Sequence, residues 1–364
     1  RAGLDVILAD ENDRLGGRLL SEVEAVAGVA GHVWAETIFT ELVGLANVQV
    51  MTNTTVTGAY DQGTYGALER VGHHLDVLPV GLPLETFWRI TAKRAILCAG
   101  ALERQVAFPD NDRPGIMTAS GMRSYLNRYG VSPGQKIAVF GNNSDAHRTA
   151  RDFVQAGIEV VAMIDSRGGV ADQADYPIYA GANVVGSSGR FGLRSIIIRQ
   201  NGIIKTIECD ALGVSGGWNP SVHLTCHMNG RPVWDPSLAS FLPQEGAIPG
   251  MSVAGAAAGI MSTAGGLAQG YKIALSVAKY LGKRPKAFDL PSAEDAPYEI
   301  EPLWDVGGKG RAWLDFQNDV TTKEVRQAAQ ENFRSVEHMK RYTTQGMATD
   351  QGKNSNVTAL AVLA

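Results

Sequence analysis

Cysteine is scarce: Cys98, Cys209 and Cys226 are the only three in 364 residues, and no two have C-x-x-C spacing. So few thiols at such spacings indicate neither a disulfide framework nor a cysteine zinc site, and a reducing cytoplasm is the expected compartment. Charge of one sign is equally lacking. Thirty-three basic and 37 acidic residues leave a net charge of −4, which offers no electrostatic footprint for nucleic acid. No uncharged apolar run approaches the roughly 18 residues a bilayer span needs, so no membrane protein is expected. The N-terminus has neither a basic region nor an apolar stretch and does not read as a signal peptide. With 45% hydrophobic residues the chain has enough apolar content to bury a core, which excludes disorder.

Glycine is abundant instead, with 42 residues in 364, against a usual share of roughly 7%. It follows no strict period, so collagen is excluded, and the length suggests two or three domains. Asp5-Val-Ile-Leu-Ala-Asp10 reads as a buried strand ending in an acid, followed by Gly16-Gly17 and Arg18. In a dinucleotide-binding βαβ unit, the acid that ends the second strand accepts hydrogen bonds from the adenosine ribose. Asp10 fits that role, and an ordinary turn with a solvated acid explains this stretch equally well. The accompanying G-x-G-x-x-G turn would lie about 20 residues upstream, before residue 1. Val357–Ala364 stops in a small apolar run. The expectation is therefore a fragment of a longer subunit.

Val48–Met51, Thr54–Thr57 and Phe87–Ile90 read as strands around a turn-rich meander from Tyr60 to Pro83. Within it, adjacent His73 and His74 point apart and suit a surface. Arg94–Ala101 is a strand ending in small residues, Cys98 reads as a core thiol, and Phe108–Ile116 looks like a domain crossing. A complete βαβ start follows: strand Gln135–Phe140, a turn at Gly141, a helix to Ala156, and strand Glu159–Asp165 ending in an acid. Its second and third glycine positions hold Asn143 and Ala146, and a side chain at the second crowds a pyrophosphate. A Rossmann-like domain without a ligand is expected there. Asn201-Gly202 signals a hairpin. A third glycine-rich stretch, Ile248–Gly266, leads into a helix to about Leu281. Backbone N–H groups there could seat an anion, and close helix-to-sheet packing explains the small residues almost as well.

Four prolines between Lys283 and Val306 read as a linker, with helices following at Asp319–Gln330 and Val336–Tyr342. The expected fold class is α/β, and its element order resembles the two-dinucleotide-domain flavoprotein architecture of the glutathione-reductase type, with two Rossmann domains. Residues 1–110 and 211–284 form the first domain, which lacks its first βα unit, and 111–210 the inserted second. A linker spans 285–310, a small helical module 311–356, and 357–364 begins a further domain. No catalytic base, nucleophile or metal site emerges. His147 reads as partly exposed, and His223 and His227 would share a face only in a helix.

Several strings resemble the α subunits of heterotetrameric sarcosine oxidases: Gly100-Ala-Leu-Glu-Arg104, Asn111-Asp-Arg-Pro-Gly115, Ser124-Tyr-Leu-Asn-Arg-Tyr129, Asn142-Asn-Ser-Asp145 and Lys340–Asp350. The resemblance runs the whole chain in order. It implies NAD held here without turnover, and FAD and FMN mainly on or shared with the β subunit. Partners would be the β, γ and δ subunits, in a complex oxidising sarcosine with O₂ to glycine and H₂O₂ and passing the one-carbon unit to tetrahydrofolate. It also implies site residues. Asp10, Glu11 and Asn12 would lie at the adenosine ribose, Gly17 and Arg18 at the pyrophosphate, and Val56 near the adenine. Gly100 lines the strand edge, with Gly255, Ala256, Met261 and Thr263 at the nicotinamide end. No acid stands at Ala256–Ala258 for a ribityl chain, which favours NAD over FAD.

The tail also resembles a small [2Fe–2S] module of related amine dehydrogenase subunits, whose four cysteine positions would correspond to Asp315, Gln317, Asp350 and Ser355, so no iron–sulfur cluster is expected. Two rivals remain: an FAD-binding large subunit of an opine, hydroxyproline or cyanide-forming amino-acid dehydrogenase, and a nucleotide-free assembly scaffold.

Overall fold

The computed structural model describes residues 2–169, 174–293 and 297–364. Its first stretch carries strand β1 (Val6–Ala9), helix α1 (Gly31–Val43) and strands β2 (Val48–Met51), β3 (Thr54–Tyr60), β4 (Thr64–Arg70), β5 (Glu85–Thr91) and β6 (Ala95–Leu97). The middle adds β7 (Ile116–Thr118), α2 (Ala119–Arg123), β8 (Lys136–Gly141), α3 (Ser144–Gln155), β9 (Glu159–Asp165) and β10 (Ile178–Ala180). It continues with β11 (Ala182–Ser188), β12 (Ser195–Gln200), β13 (Ile203–Glu208) and β14 (Ala211–Ser215). Then come β15 (Met251–Val253) and α4 (Thr263–Tyr280), and last α5 (Thr322–Gln330), α6 (Val336–Thr343) and α7 (Asn356–Leu363). Two compact units result. The first comprises Arg1–Ala101, Pro220–Trp234 and Phe241–Ala296, and the second Leu102–Asn219, Asp235–Ser240 and Pro297–Ala364.

In the first unit β1 pairs in parallel with β2, and β6 with β15. β3, β4 and β5 form an antiparallel meander. The β3–β4 register shifts between Val56 and Gly58, a bulge that re-aims the strand just past Val56. α1 buries Gly31 and Ala35. It approaches the Gly-Gly turn so closely that a Cβ on Gly16 would stand 3.0 Å from Ala35 Cβ. Cys98 is exposed, not a core thiol, because it lies past the end of β6 and outside its pairing with β15.

The second unit is built on a five-stranded parallel sheet in the order β7-β14-β8-β9-β10. β8 is apolar on both faces, as a covered parallel strand should be. Ile137 and Val139 pack with Ala146, Ala150 and Phe153 of α3, while Ala138 and Phe140 meet Val184, Ile196, Ile198 and Val214. The antiparallel sheet β11-β12-β13 supplies much of that second layer. Its Asn201-Gly202 turn has φ of 50° and 80°, the two positive values of a type I′ hairpin.

Two sequence expectations shift here. β14 was expected in the first domain, yet it lies between β7 and β8, because Leu212 and Val214 belong to the second unit's core. The stretch expected as a linker has no helix or strand among its described residues but docks firmly: Ile300 bridges Asn143, and Asp305 bridges Ala107. The C-terminal helices enclose a core of Leu314, Val320, Val325, Ala328, Met339 and Ala359 that also takes in Ala107. α5 opens with a full capping box, Thr321 and Glu324 bonding each other's ends.

Candidate functional site

Asp10 sits where β1 ends. Its N–H donates to Met51 O at 2.9 Å, and its carbonyl accepts from Thr54 N at 2.8 Å, which fixes the residue between β2 and β3. One carboxylate oxygen, Oδ1, accepts from Asn12 N at 2.9 Å and Asn12 Nδ2 at 3.0 Å. This turn aims the carboxylate, and Oδ2 takes neither bond. Glu11 and Asn12 are exposed and held by backbone: Arg70 Nη2 donates to Glu11 O, and Asn53 N to Asn12 O. Val56 follows two residues after Thr54 on β3, so it shares Asp10's anchorage.

The glycine pair divides its work. Gly16 packs against α1, whereas Gly17, at φ 52°, has open space where a Cβ would project. Gly100 (φ 68°) and Gly255 (φ 69°) share that combination of left-handed backbone and open space. Gly100 also accepts Ser221 N at 2.9 Å. Each lies just past a strand of a parallel pair, on the first stretch and on the return alike, where a ligand can approach main chain.

Arg18 was expected at a pyrophosphate, but its guanidinium is engaged within the protein. Nε donates to Glu22 Oε1 at 2.5 Å and Nη1 to the Met261 carbonyl at 3.2 Å. Glu22 is buried, so the cation balances a carboxylate that water does not reach. The same guanidinium ties the Gly-Gly turn to the third glycine-rich element, and brings Arg18 and Met261 together. In that element β15 leads to Gly255, a short turn through Ala256, Gly259 in the left-handed region, and the cap Ser262, whose Oγ accepts Gly265 N. Thr263 begins α4, half-buried. Sequence reasoning missed Glu22 and Gln269. Gln269 Oε1 takes the Gly255 N–H at 2.8 Å, and a mid-helix glutamine carries no local signal of that contact.

The histidines arrange themselves differently from one another. His73 and His74 are exposed, with His73 near Glu85. His223–Cys226 is a short helix, and His227 beyond it accepts the Ala59 N–H at 3.4 Å. His147 is buried, contrary to expectation, because Nε2 pairs with Asp165 Oδ2 at 2.7 Å. Burial alone would raise Asp165, but hydrogen bonds from His147 and Arg167 hold its carboxyl below the usual range.

In the C-terminal module Asp315 and Ser355 are buried and Gln317 is exposed. Asp315 accepts from Gln317 N, Asn318 N and Gly346 N, Ser355 Oγ accepts from Gln345 Nε2, and Asp350 accepts from Gly352 N. Polar contacts thus occupy these positions. Among the described residues no group of His, Cys, Asp and Glu is placed to hold a metal ion.

Glycine turns at the ends of parallel strands, with a second βαβ unit inserted, define an α/β fold of the two-dinucleotide-domain class. Solved structures agree on the fold. L-proline dehydrogenase from P. horikoshii matches with TM-score 0.71 and 21% identity over 98% of this chain and 68% of that one. T. acidophilum thioredoxin reductase matches with TM-score 0.57 and 14% identity over 77% and 92%. The family model for the sarcosine oxidase A3 domain matches residues 309–364. Sarcosine oxidase subunit alpha of Rhizobium meliloti (strain 1021) is 42% identical over the whole of this chain, which spans 37% of that subunit's length. Over its whole length the chain is similar to sarcosine oxidase α subunits, of which it spans 37–40%, and its residues 309–364 match their A3 domain. Among the described residues no helix is long and apolar enough to cross a membrane.

Proposed function

We propose that this stretch holds NAD in its first unit and breaks no bond itself. The observation that carries the reading is Asp10: a carboxylate fixed at a strand end, with one oxygen oriented by Asn12 and the other left for a ribose hydroxyl. Around it the residues suit a dinucleotide, because Gly17, Gly100 and Gly255 leave open space where a side chain would project. Asp10 would accept from the adenosine ribose beside Glu11, Asn12 and Val56. Gly17 would leave room for the pyrophosphate, while Arg18 acts at one remove by holding Met261. Ala256, Met261 and Thr263 would line the nicotinamide end. When bound, NAD would supply a redox-capable ring. The three alanines at 256–258 present no acid for a ribityl chain, which supports NAD over FAD.

The complete complex, in this reading, is cytoplasmic. It oxidises sarcosine with O₂ to glycine and H₂O₂ and transfers the one-carbon unit to tetrahydrofolate, with β, γ and δ subunits as partners. FAD and FMN lie mainly on or beside the β subunit. The A3 module is structural and carries no iron–sulfur cluster, because Asp315, Gln317, Asp350 and Ser355 offer no thiolate. Release of nucleotides from the purified complex, identified by mass spectrometry and counted per α chain with iron assayed in parallel, tests this. Stoichiometric NAD without iron is expected. FAD on the isolated α chain, or iron, overturns it in favour of an electron-relaying amino-acid dehydrogenase, and an empty chain favours a scaffold.

A further inference from the structure

The second unit has its own dinucleotide-type seat, and the chain fills it. In such a seat the pyrophosphate rests on the N-terminus of the first helix, beside the turn after the first strand, and the acid ending the second strand binds the ribose. All three positions are taken. At the start of α3, Ser144 N donates to Glu299 O at 3.0 Å, and Glu299 N donates back to Ser144 Oγ at 3.2 Å. At the turn, Glu301 N donates to Asn142 O at 3.0 Å and Asn142 Nδ2 to Glu301 O at 2.8 Å, on either side of the Asn143–Ile300 bridge. At the strand end, Asp165 accepts from Arg167 N, Nε and Nη2 and pairs with His147.

Arg167 links the pieces, because its Nη1 also reaches Glu299 O at 3.2 Å. Glu299 O therefore accepts from a helix-terminal amide and a guanidinium together, the pair of donors a phosphate oxygen would attract. The glycines around it suit the segment. A Cβ on Gly217 would stand 2.5 Å from Ile300 Cδ1, so that glycine makes the room Ile300 uses. Asn143, at the fingerprint's second glycine position, is fully buried, capping Asp145 N and donating to Ser215. Gly141 keeps its packing role, since a Cβ there would lie 2.5 Å from Ala146 Cβ.

We propose that Tyr298–Glu301 is the resident occupant of the second dinucleotide seat, with the Glu299 carbonyl standing in for a phosphate oxygen and Arg167 as its latch. The seat is then closed to a dinucleotide in the native protein, and the second unit acts as a fixed platform. Equilibrium dialysis of the complete complex against ADP-ribose, combined with hydrogen exchange, tests this. In the native complex all ADP-ribose binding is expected to weaken roughly 10- to 100-fold with Asp10→Ala, leaving no site of unchanged affinity, and the Ser144 and Glu301 amides to stay protected at saturating ligand. Replacing residues 298–301 by Gly-Ser-Gly-Ser keeps the main-chain groups but frees them from the Ile300 anchor, and is expected to speed Ser144 exchange about 10-fold while the interior amides of α3 keep their protection. A site whose ADP-ribose affinity is unchanged by Asp10→Ala, with Glu301 exchange accelerated by ligand, would overturn the proposal. So would unprotected Ser144 and Glu301 amides in the native protein, a result that stands even if the replaced segment prevents folding. Failure of the first-site reading looks different: no ADP-ribose binds to the native chain, yet both amides remain protected.

Discussion

Glu103 should make the second unit less stable as pH rises, and Glu103→Gln should remove that loss. The carboxyl is buried, with Oε1 2.6 Å from Ser215 Oγ and Oε2 accepting Ser120 N at 2.6 Å. Burial outweighs these hydrogen bonds and, with Asp145 nearby, pushes the group from 4.5 up to about 7. The folded protein therefore holds the proton more tightly than the unfolded chain. Its contribution is fully present below about pH 4.5 and is lost as pH rises through about 7. A shift from 4.5 to about 7, at about 1.4 kcal/mol per pH unit, corresponds to a loss of about 3 kcal/mol at pH 8. Glutamine reproduces the protonated acid: its oxygen can accept Ser120 N and its amide donate to Ser215 Oγ, leaving that hydroxyl to donate to Asn143 Oδ1, 3.3 Å away. Urea unfolding of the complex between pH 4.5 and 8.5, read alongside exchange of the Ser120 amide, measures the effect. The variant should gain stability relative to the native protein towards pH 8 and nearly match it at pH 4.5. A variant less stable by 1 kcal/mol or more at pH 8, with an unchanged pH slope, would refute the reasoning.

Asp10→Ala removes a charged acceptor for the ribose, worth about 1.5–3 kcal/mol, so nucleotide affinity measured by calorimetry should fall roughly 10- to 100-fold. Arg18→Ala deprives the buried Glu22 of its cation and unties Met261. With the Arg18 side chain 30% exposed, a loss of about 2 kcal/mol in denaturant unfolding is expected, and Arg18→Ala/Glu22→Gln should recover most of it. Thr321→Ala breaks the capping box of α5 and should lower the stability of the C-terminal module by about 1 kcal/mol, seen as faster exchange in the first turn of that helix.

The readable parts of the molecule are those whose side chains repeat with the backbone. β8, α3 and β9 announce themselves through an apolar run, a glycine turn and a terminal acid, and Asn201-Gly202 specifies its hairpin through two residues that tolerate positive φ. Asp10 and the Gly255 turn stand out for the same reason. Docking through backbone leaves no such mark. Residues 297–306 look like a linker because prolines exclude regular structure, yet Glu299 and Glu301 are held by main-chain carbonyls and amides that any residue possesses. Long-range charge pairing is similarly silent: His147 finds Asp165 only when β9 lies beside β8, and Arg18 finds Met261 across 243 residues. β14, an apolar strand after a hairpin, fits either sheet by composition, and its pairing with β7 and β8 alone decides.

The most direct test of the account is density for the first unit in a structure of the complete complex. It should show a dinucleotide with its adenosine ribose hydrogen-bonded to Asp10 and its nicotinamide end at Met261 and Thr263. An isoalloxazine ring in that groove, or a nucleotide whose ribose lies away from Asp10, would contradict it.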